Sequence, residues 1–231
     1  MSEYFDTGHH DYMEKRSAEF ARFVLDRVWQ PELAAFDTCM ELGAGIGRFT
    51  PPLIERFDRV YLIEPATTYA EVLRERFASD TVTVSDDSAE AFLDDWPEDK
   101  PVLLSAFHLL HHLTLEQRQH IYAFIKRTGS RGVFVEPNPW NPLLLLQIVS
   151  TPGMSFAEEK QYLRLNRSRM RRELNEAGLA MVNYRRIVSL PPGITDLLLR
   201  SGLEAVLRVM EGLSIIPCAA SYHSYHVVSK D

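Results

Sequence analysis

Apolar residues recur along this chain in two rhythms. Short unbroken runs at 38–42, 60–64, 82–85, 101–106 and 132–136 predict buried strands. Between them, stretches near 48–57, 67–78, 88–94 and 114–128 carry the spacing of helices. Strands and helices in strict alternation predict a parallel sheet covered on both faces. An opening helix is expected over 11–29, where Phe20, Phe23, Val24 and Val28 make one apolar face.

Prolines and glycines modify this picture. Thr50-Pro51-Pro52 stands where the first inter-strand helix should begin, so that helix is expected to start late or with an irregular turn. Pro137-Asn138-Pro139-Trp140-Asn141-Pro142 predicts a rigid turn after the fifth strand. Arg167 to Ala177 reads as a helix with Met170, Leu174 and Ala177 inward and Gly178 at its C-cap. A strand from Met181 to Val188, a helix from Thr195 to Glu211 and a last strand from Tyr222 to Ser229 complete the chain. Inserts in open α/β folds lie beside the C-terminal ends of the strands, where ligands bind. Residues 140–165 and 191–217 are therefore expected to form cap elements over such a site.

The 231 residues suit one domain spanning 1–231 with a full core. A formal net charge of −7 argues against broad nucleic-acid binding, which needs a basic face. Two cysteines make no disulfide framework, and Met-Ser-Glu-Tyr-Phe-Asp has neither half of a signal peptide, so a reducing cytoplasmic setting is expected. The aliphatic run from Leu143 to Val149 is too short to span a bilayer.

Residues 40–50, Met-Glu-Leu-Gly-Ala-Gly-Ile-Gly-Arg-Phe-Thr, carry the strongest chemical signal. Glycines at 43, 45 and 47 permit a tight turn and a close backbone approach to a ligand. The strand over 60–64 then ends in a second acid, Glu64, placed to take two ribose hydroxyls. A dinucleotide loop reads G-x-G-x-x-G, whereas here the third glycine comes one residue early. Glu41 stands two residues before the first glycine, where a carboxylate would repel a pyrophosphate and suit a cation. These features speak against a nicotinamide-dependent oxidoreductase. S-adenosylmethionine (SAM) carries an ammonium, a sulfonium and no phosphate.

At this point the chain resembles a known family. Glu41-Leu-Gly-Ala-Gly-Ile-Gly resembles motif I of the class I SAM-dependent methyltransferases, and Glu64-Pro65 resembles the acid of their second motif. Phe107-His108-Leu109-Leu110-His111-His112 resembles the segment after their fourth strand in small-molecule members. The resemblance implies a three-layer α/β sandwich with a seven-stranded, mostly parallel Rossmann-like sheet ending in an antiparallel pair. It implies SAM as cofactor. Glu41 and the backbone of Gly43, Ala44 and Gly45 would hold the methionyl part, and Glu64 with Pro65 the ribose. Asp87, Ser88 and Ala89 would meet the adenine, with Asp86, Asp87 and Ser88 as alternatives for the contacting side chain. Ala106 and Phe107 would border the sulfonium, and Tyr12 would fold over the donor from an N-terminal segment. The implied activity is methyl transfer to a small organic acceptor, with a lipophilic one suiting the apolar caps. The alternative is a catalytically silent SAM-binding subunit, which turnover of SAM would separate.

A displacement at an activated methyl needs chiefly alignment and exclusion of water. A base helps where the acceptor must lose a proton. His111 and His112 are the candidates, with packing or helix capping as the structural alternative. His108 and His112 have the four-residue spacing of two metal ligands, but no third ligand is evident and no metal is expected. Arg164, Arg167, Arg169, Arg171 and Arg172 form a basic run, read as a solvated helix face rather than a seat for an anionic acceptor.

Overall fold

The computed structural model describes residues 18–143, 146 and 165–230. The expected helical residues 11–17, Tyr12 among them, lie outside the described residues, as does most of the expected cap over 140–165. Helix α1 (Ala18–Val28) leads through a 3₁₀ turn to β1 (Thr38–Leu42). There follow α2 (Thr50–Ile54), β2 (Arg59–Ile63), α3 (Thr67–Phe77), β3 (Val82–Ser85), α4 (Ala89–Asp94), β4 (Leu103–Phe107), α5 (Leu115–Thr128) and β5 (Arg131–Pro137). The last part holds α6 (Arg167–Glu176), β6 (Leu179–Ile187), α7 (Pro192–Arg200), α8 (Glu204–Glu211) and β7 (Tyr222–Ser229).

The seven strands run β3-β2-β1-β4-β5-β7-β6. All neighbours are parallel except β7, which is antiparallel to both β5 and β6. Side chains alternate across each buried strand, so two cores form. Cys39, Val60, Leu62, Leu103, Val133 and Val135 face one layer with α1, α2 and α3. Met40, Leu42, Leu104, Ala106 and Phe134 face the other with α4, α5 and α6. The strand order reverses between β1 and β4, the place where open α/β sheets bind ligands.

Local chemistry sets the helix bounds. Pro51 and Pro52 both fall in the first turn of the five-residue α2, whose N–H groups have no helical partner to lose. Ser88 caps α4, and a reciprocal Thr114–Gln117 capping box starts α5 directly after the segment 108–113.

The single helix expected from Thr195 to Glu211 is two helices. Gly202, at φ +71°, breaks it in the left-handed region that a side chain disfavours. The pair packs onto the core. The Phe20 N–H donates to Asp196 Oδ1 at 2.7 Å, tying α7 to α1. Leu207 of α8 is fully buried in the same core. Leu207→Ala should therefore cost about 2–5 kcal/mol of stability, read by urea unfolding. A loss within about 0.5 kcal/mol, the range of surface changes, would mean that α8 is not anchored there. No helix among the described residues is long and apolar enough to cross a membrane.

Candidate functional site

The glycine loop crosses the C-terminal ends of β1 and β2. The N–H groups of Gly43 and Ala44 both donate to the Ile63 carbonyl, at 2.8 and 3.3 Å, fastening the loop to the end of β2. Gly43 has φ +64°, which disfavours a side chain, and a Cβ there would lie 2.7 Å from Leu109 Cδ1 and push that side chain aside. Gly45 differs. It has φ +57°, and among the described residues nothing lies within 4 Å of where its Cβ would be. No described side chain stands in the way of a ligand at this backbone, as a cradle requires.

The two predicted acids close on this loop from different sides. Glu64 Oε2 accepts from the Gly45 N–H at 2.8 Å and Oε1 from the Ala66 N–H at 3.0 Å. Pro65, between them, is half-buried. Burial raises the Glu64 carboxyl above its ordinary range, against the lowering effect of these two donors. Glu41 lies beneath the loop, 2% exposed, and its Oε2 accepts from Thr50 Oγ1 at 2.6 Å. Desolvation pushes it from an ordinary 4.5 up to about 8, the Thr50 bond opposing and the Glu64 charge adding.

That shift has a measurable consequence. The folded value of Glu41 lies above the unfolded one, so the folded chain holds the proton more tightly. Its stabilising contribution is full below about 4.5 and is lost as pH rises through about 8. Glu41→Gln, which can keep the bond from Thr50, should remove this decline. Relative to the variant, wild type should lose on the order of a few kcal/mol between pH 5 and 8.5. Unfolding curves that stay parallel across this range would contradict it.

Opposite the loop, the expected adenine segment is largely engaged with itself. Asp86 pairs with Arg74 at 2.8 Å. Asp87 Oδ2 accepts from Ser85 Oγ at 2.7 Å, and Ser88 Oγ accepts from the Ala91 N–H at 3.2 Å. Ala89 opens α4.

The end of β4 brings an aromatic row toward the loop. Ala106 is fully buried, and Phe107 stacks on Phe49 at 4.1 Å with rings 9° apart. His108 has φ +57°, rare for a residue with a side chain, and its ring stacks on Tyr222 at 4.7 Å. Burial, then the charge of Arg48, lowers its basicity well below that of an ordinary imidazole.

Beyond it, His111 is 5% exposed. Its Nδ1 lies 2.6 Å from Glu136 Oε2, while Glu136 Oε1 accepts from the Leu110 N–H at 2.8 Å. The rings of His111 and His112 are 4.0 Å apart. Burial, then the charge of His111, lowers His112 to about 3, so His112 is neutral at physiological pH.

Three solved structures share this arrangement of elements. A SAM dependent methyltransferase from Archaeoglobus fulgidus matches 98% of this chain with 97% of its own, at TM-score 0.62 and 14% identity. The plantazolicin methyltransferase BamL, solved with a triazolic desmethylPZN analog and SAH, matches 99% with 94% of its own, at TM-score 0.63 and 12% identity. The geranyl diphosphate C-methyltransferase from Streptomyces coelicolor A3(2), solved with Mg2+, geranyl diphosphate and S-adenosyl-L-homocysteine, matches 92% with 79% of its own, at TM-score 0.55 and 16% identity. The chain has the class I SAM-dependent methyltransferase fold. No protein-family model and no curated protein matches it in sequence.

Within this methyltransferase fold, the strand ends bring Glu41, Gly43, Ala44, Gly45 and Glu64 together around one loop. Leu109 joins the segment carrying His111 to that loop. Sequence reasoning missed Glu136. The signal was present: like Glu41 and Glu64, it is an acid closing an apolar strand. Phe49 and Thr50 precede Pro51 and Pro52, and no local spacing marks either as part of a site. Of the basic run, Arg169 bonds Glu173 at 2.8 Å and Arg167 lies over the Tyr184 ring at 4.1 Å.

Proposed function

We propose that this chain is a SAM-dependent methyltransferase acting on a small organic molecule. The observation that carries the reading is Glu64, whose Oε2 accepts from the Gly45 N–H at 2.8 Å beside a loop position where no described residue lies within 4 Å of the Cβ site. A ribose diol would find there an acceptor carboxylate already oriented by the N–H groups of Gly45 and Ala66. Bound SAM would supply a methyl activated by its sulfonium, with the acceptor's lone pair bonding to the methyl carbon as the C–S bond breaks and S-adenosylhomocysteine leaves.

The chain's own groups would divide the remaining work. Glu64, with Pro65 fixing its turn, holds the ribose hydroxyls. Glu41, protonated near pH 7 in the chain without ligand, closes the strand that leads into the loop of Gly43, Ala44 and Gly45, and the positive charge of the methionyl part would favour its ionisation there. Asp87, Ser88 and Ala89 border the adenine, Ala106 and Phe107 the sulfonium, and Tyr12 covers the donor from the N-terminal side.

His111 is the better of the two base candidates. A proton on Nδ1, held by Glu136, would put the ring's basic lone pair on Nε2, the nitrogen that would take a proton from the acceptor. The single domain would use its 140–165 and 191–217 elements to shape the acceptor side. We place the enzyme in a reducing cytoplasm, consistent with free Cys39 and Cys218. Incubation with SAM and a fractionated metabolite pool should yield S-adenosylhomocysteine with at least one fraction. SAM binding without turnover in any fraction would favour a silent SAM-binding subunit instead.

A further inference from the structure

A buried arginine grips the peptide that carries both histidines. Arg118 is 4% exposed and occupies the core-facing side of α5 with Ile121, Tyr122 and Ile125. Its Nη1 donates to the Leu113 carbonyl at 2.6 Å and the Leu110 carbonyl at 3.3 Å, the two ends of the tetrapeptide containing His111 and His112. Its Nε and Nη2 donate to the two carboxylate oxygens of Glu173 on α6, each at 2.8 Å. Glu173 is 5% exposed and also accepts from Arg169 Nε at 2.8 Å and from the Tyr122 hydroxyl at 3.4 Å.

Stability alone explains this poorly. A buried ion pair loses hydration roughly in proportion to the attraction it gains, and well-packed apolar side chains often serve a core as well. What a guanidinium offers here is geometry. Its planar fork fixes two carbonyls and a carboxylate at once, which an ammonium cannot do.

The gripped segment is also constrained at its other points. The His108 N–H donates to the Val135 carbonyl at 2.7 Å, and Leu110 N–H to Glu136. Leu109 packs against Gly43. His108 holds its positive φ within the same turn. A strained residue of this kind persists where its surroundings over-determine it, a pattern that clusters at functional sites.

We propose that Arg118 is a positioning residue, anchored by Glu173, that sets the placement of His111 and with it the His111–Glu136 bond. Its consequence for catalysis rests on the methyl-transfer reading, whereas its effect on His111 does not. Displacing a catalytic group by about an ångström can cost on the order of 100-fold in rate. Arg118→Lys keeps the charge and gives up the fork.

The test uses the full chain with 15N-labelled histidine. Long-range 1H–15N spectra of wild type should show His111 as one tautomer, protonated at Nδ1. Arg118→Lys should show exchange between tautomers, a transfer rate lower by about 100-fold, and SAM affinity within about threefold of wild type. Arg127→Ala is the control. It removes bonds from the same helix to the Leu93 and Trp96 carbonyls, at 2.7 and 3.1 Å, away from the histidines, and should leave the His111 signals unchanged. If Arg118→Lys does not fold, Glu173→Gln decides, with the same directions expected.

A wild-type His111 spectrum in the folded variant overturns the proposal, as does an equal change in Arg127→Ala. Failure of wild type to bind SAM would overturn the methyl-transfer reading, while the spectra would still decide the positioning claim.

Discussion

Glu136→Gln is expected to reduce methyl transfer by about 100- to 1,000-fold while leaving SAM affinity within about threefold, within the range for general acid–base catalysis. The carboxylate uses one oxygen for the Leu110 N–H and the other for His111 Nδ1. Glutamine has one oxygen and one amide nitrogen. If the oxygen keeps Leu110, the amide donates to His111 Nδ1, and the imidazole proton moves to Nε2. The fold then survives with the basic lone pair on the wrong nitrogen. An acceptor that loses a proton as it is methylated, at oxygen or sulfur for example, would feel this fully. Rates equal to wild type, measured with an acceptor from the metabolite screen, would mean that no base is used and that Glu136 only shapes the turn.

The second large effect concerns the donor. Glu64→Ala should weaken SAM by roughly 1.5–3 kcal/mol, the range for hydrogen bonds to a charged group. That corresponds to about 10- to 150-fold in Kd. The carboxylate already binds the N–H groups of Gly45 and Ala66, so part of the loss would come from a loosened loop. Glu64→Gln separates the two contributions, since its amide oxygen can still take one N–H while the charge is gone. Calorimetry on folded variants gives both numbers. Unchanged affinity in Glu64→Ala would remove this residue from the donor site.

The central sheet was legible because its signals are local. Cys39 through Leu42 and Val60 through Ile63 are apolar enough to be buried on both faces, apart from Glu41 and the half-buried Tyr61. The acids and glycines between them mark where each strand stops. The break at Gly202 was harder to read, because the apolar spacing resumes in phase beyond it and Leu207 still reaches the core.

Least legible were the groups joined by sheet pairing and helix packing. Glu136 and His111 are 25 residues apart, and their bond depends on β5 lying beside β4. Arg118 looks like an exposed helix residue until its spacing from Ile121, Tyr122 and Ile125 is taken seriously. That spacing puts it on the buried face, where a charge needs a partner, and Glu173 lies 55 residues onward. Sequence alone names neither partner.

The most direct measurement is calorimetric titration of the purified chain with SAM and, separately, with NAD. The account predicts saturable SAM binding that Glu64→Ala weakens, and no detectable NAD binding, because the third glycine of the loop comes one residue early for a pyrophosphate-binding turn. NAD bound more tightly than SAM would contradict it.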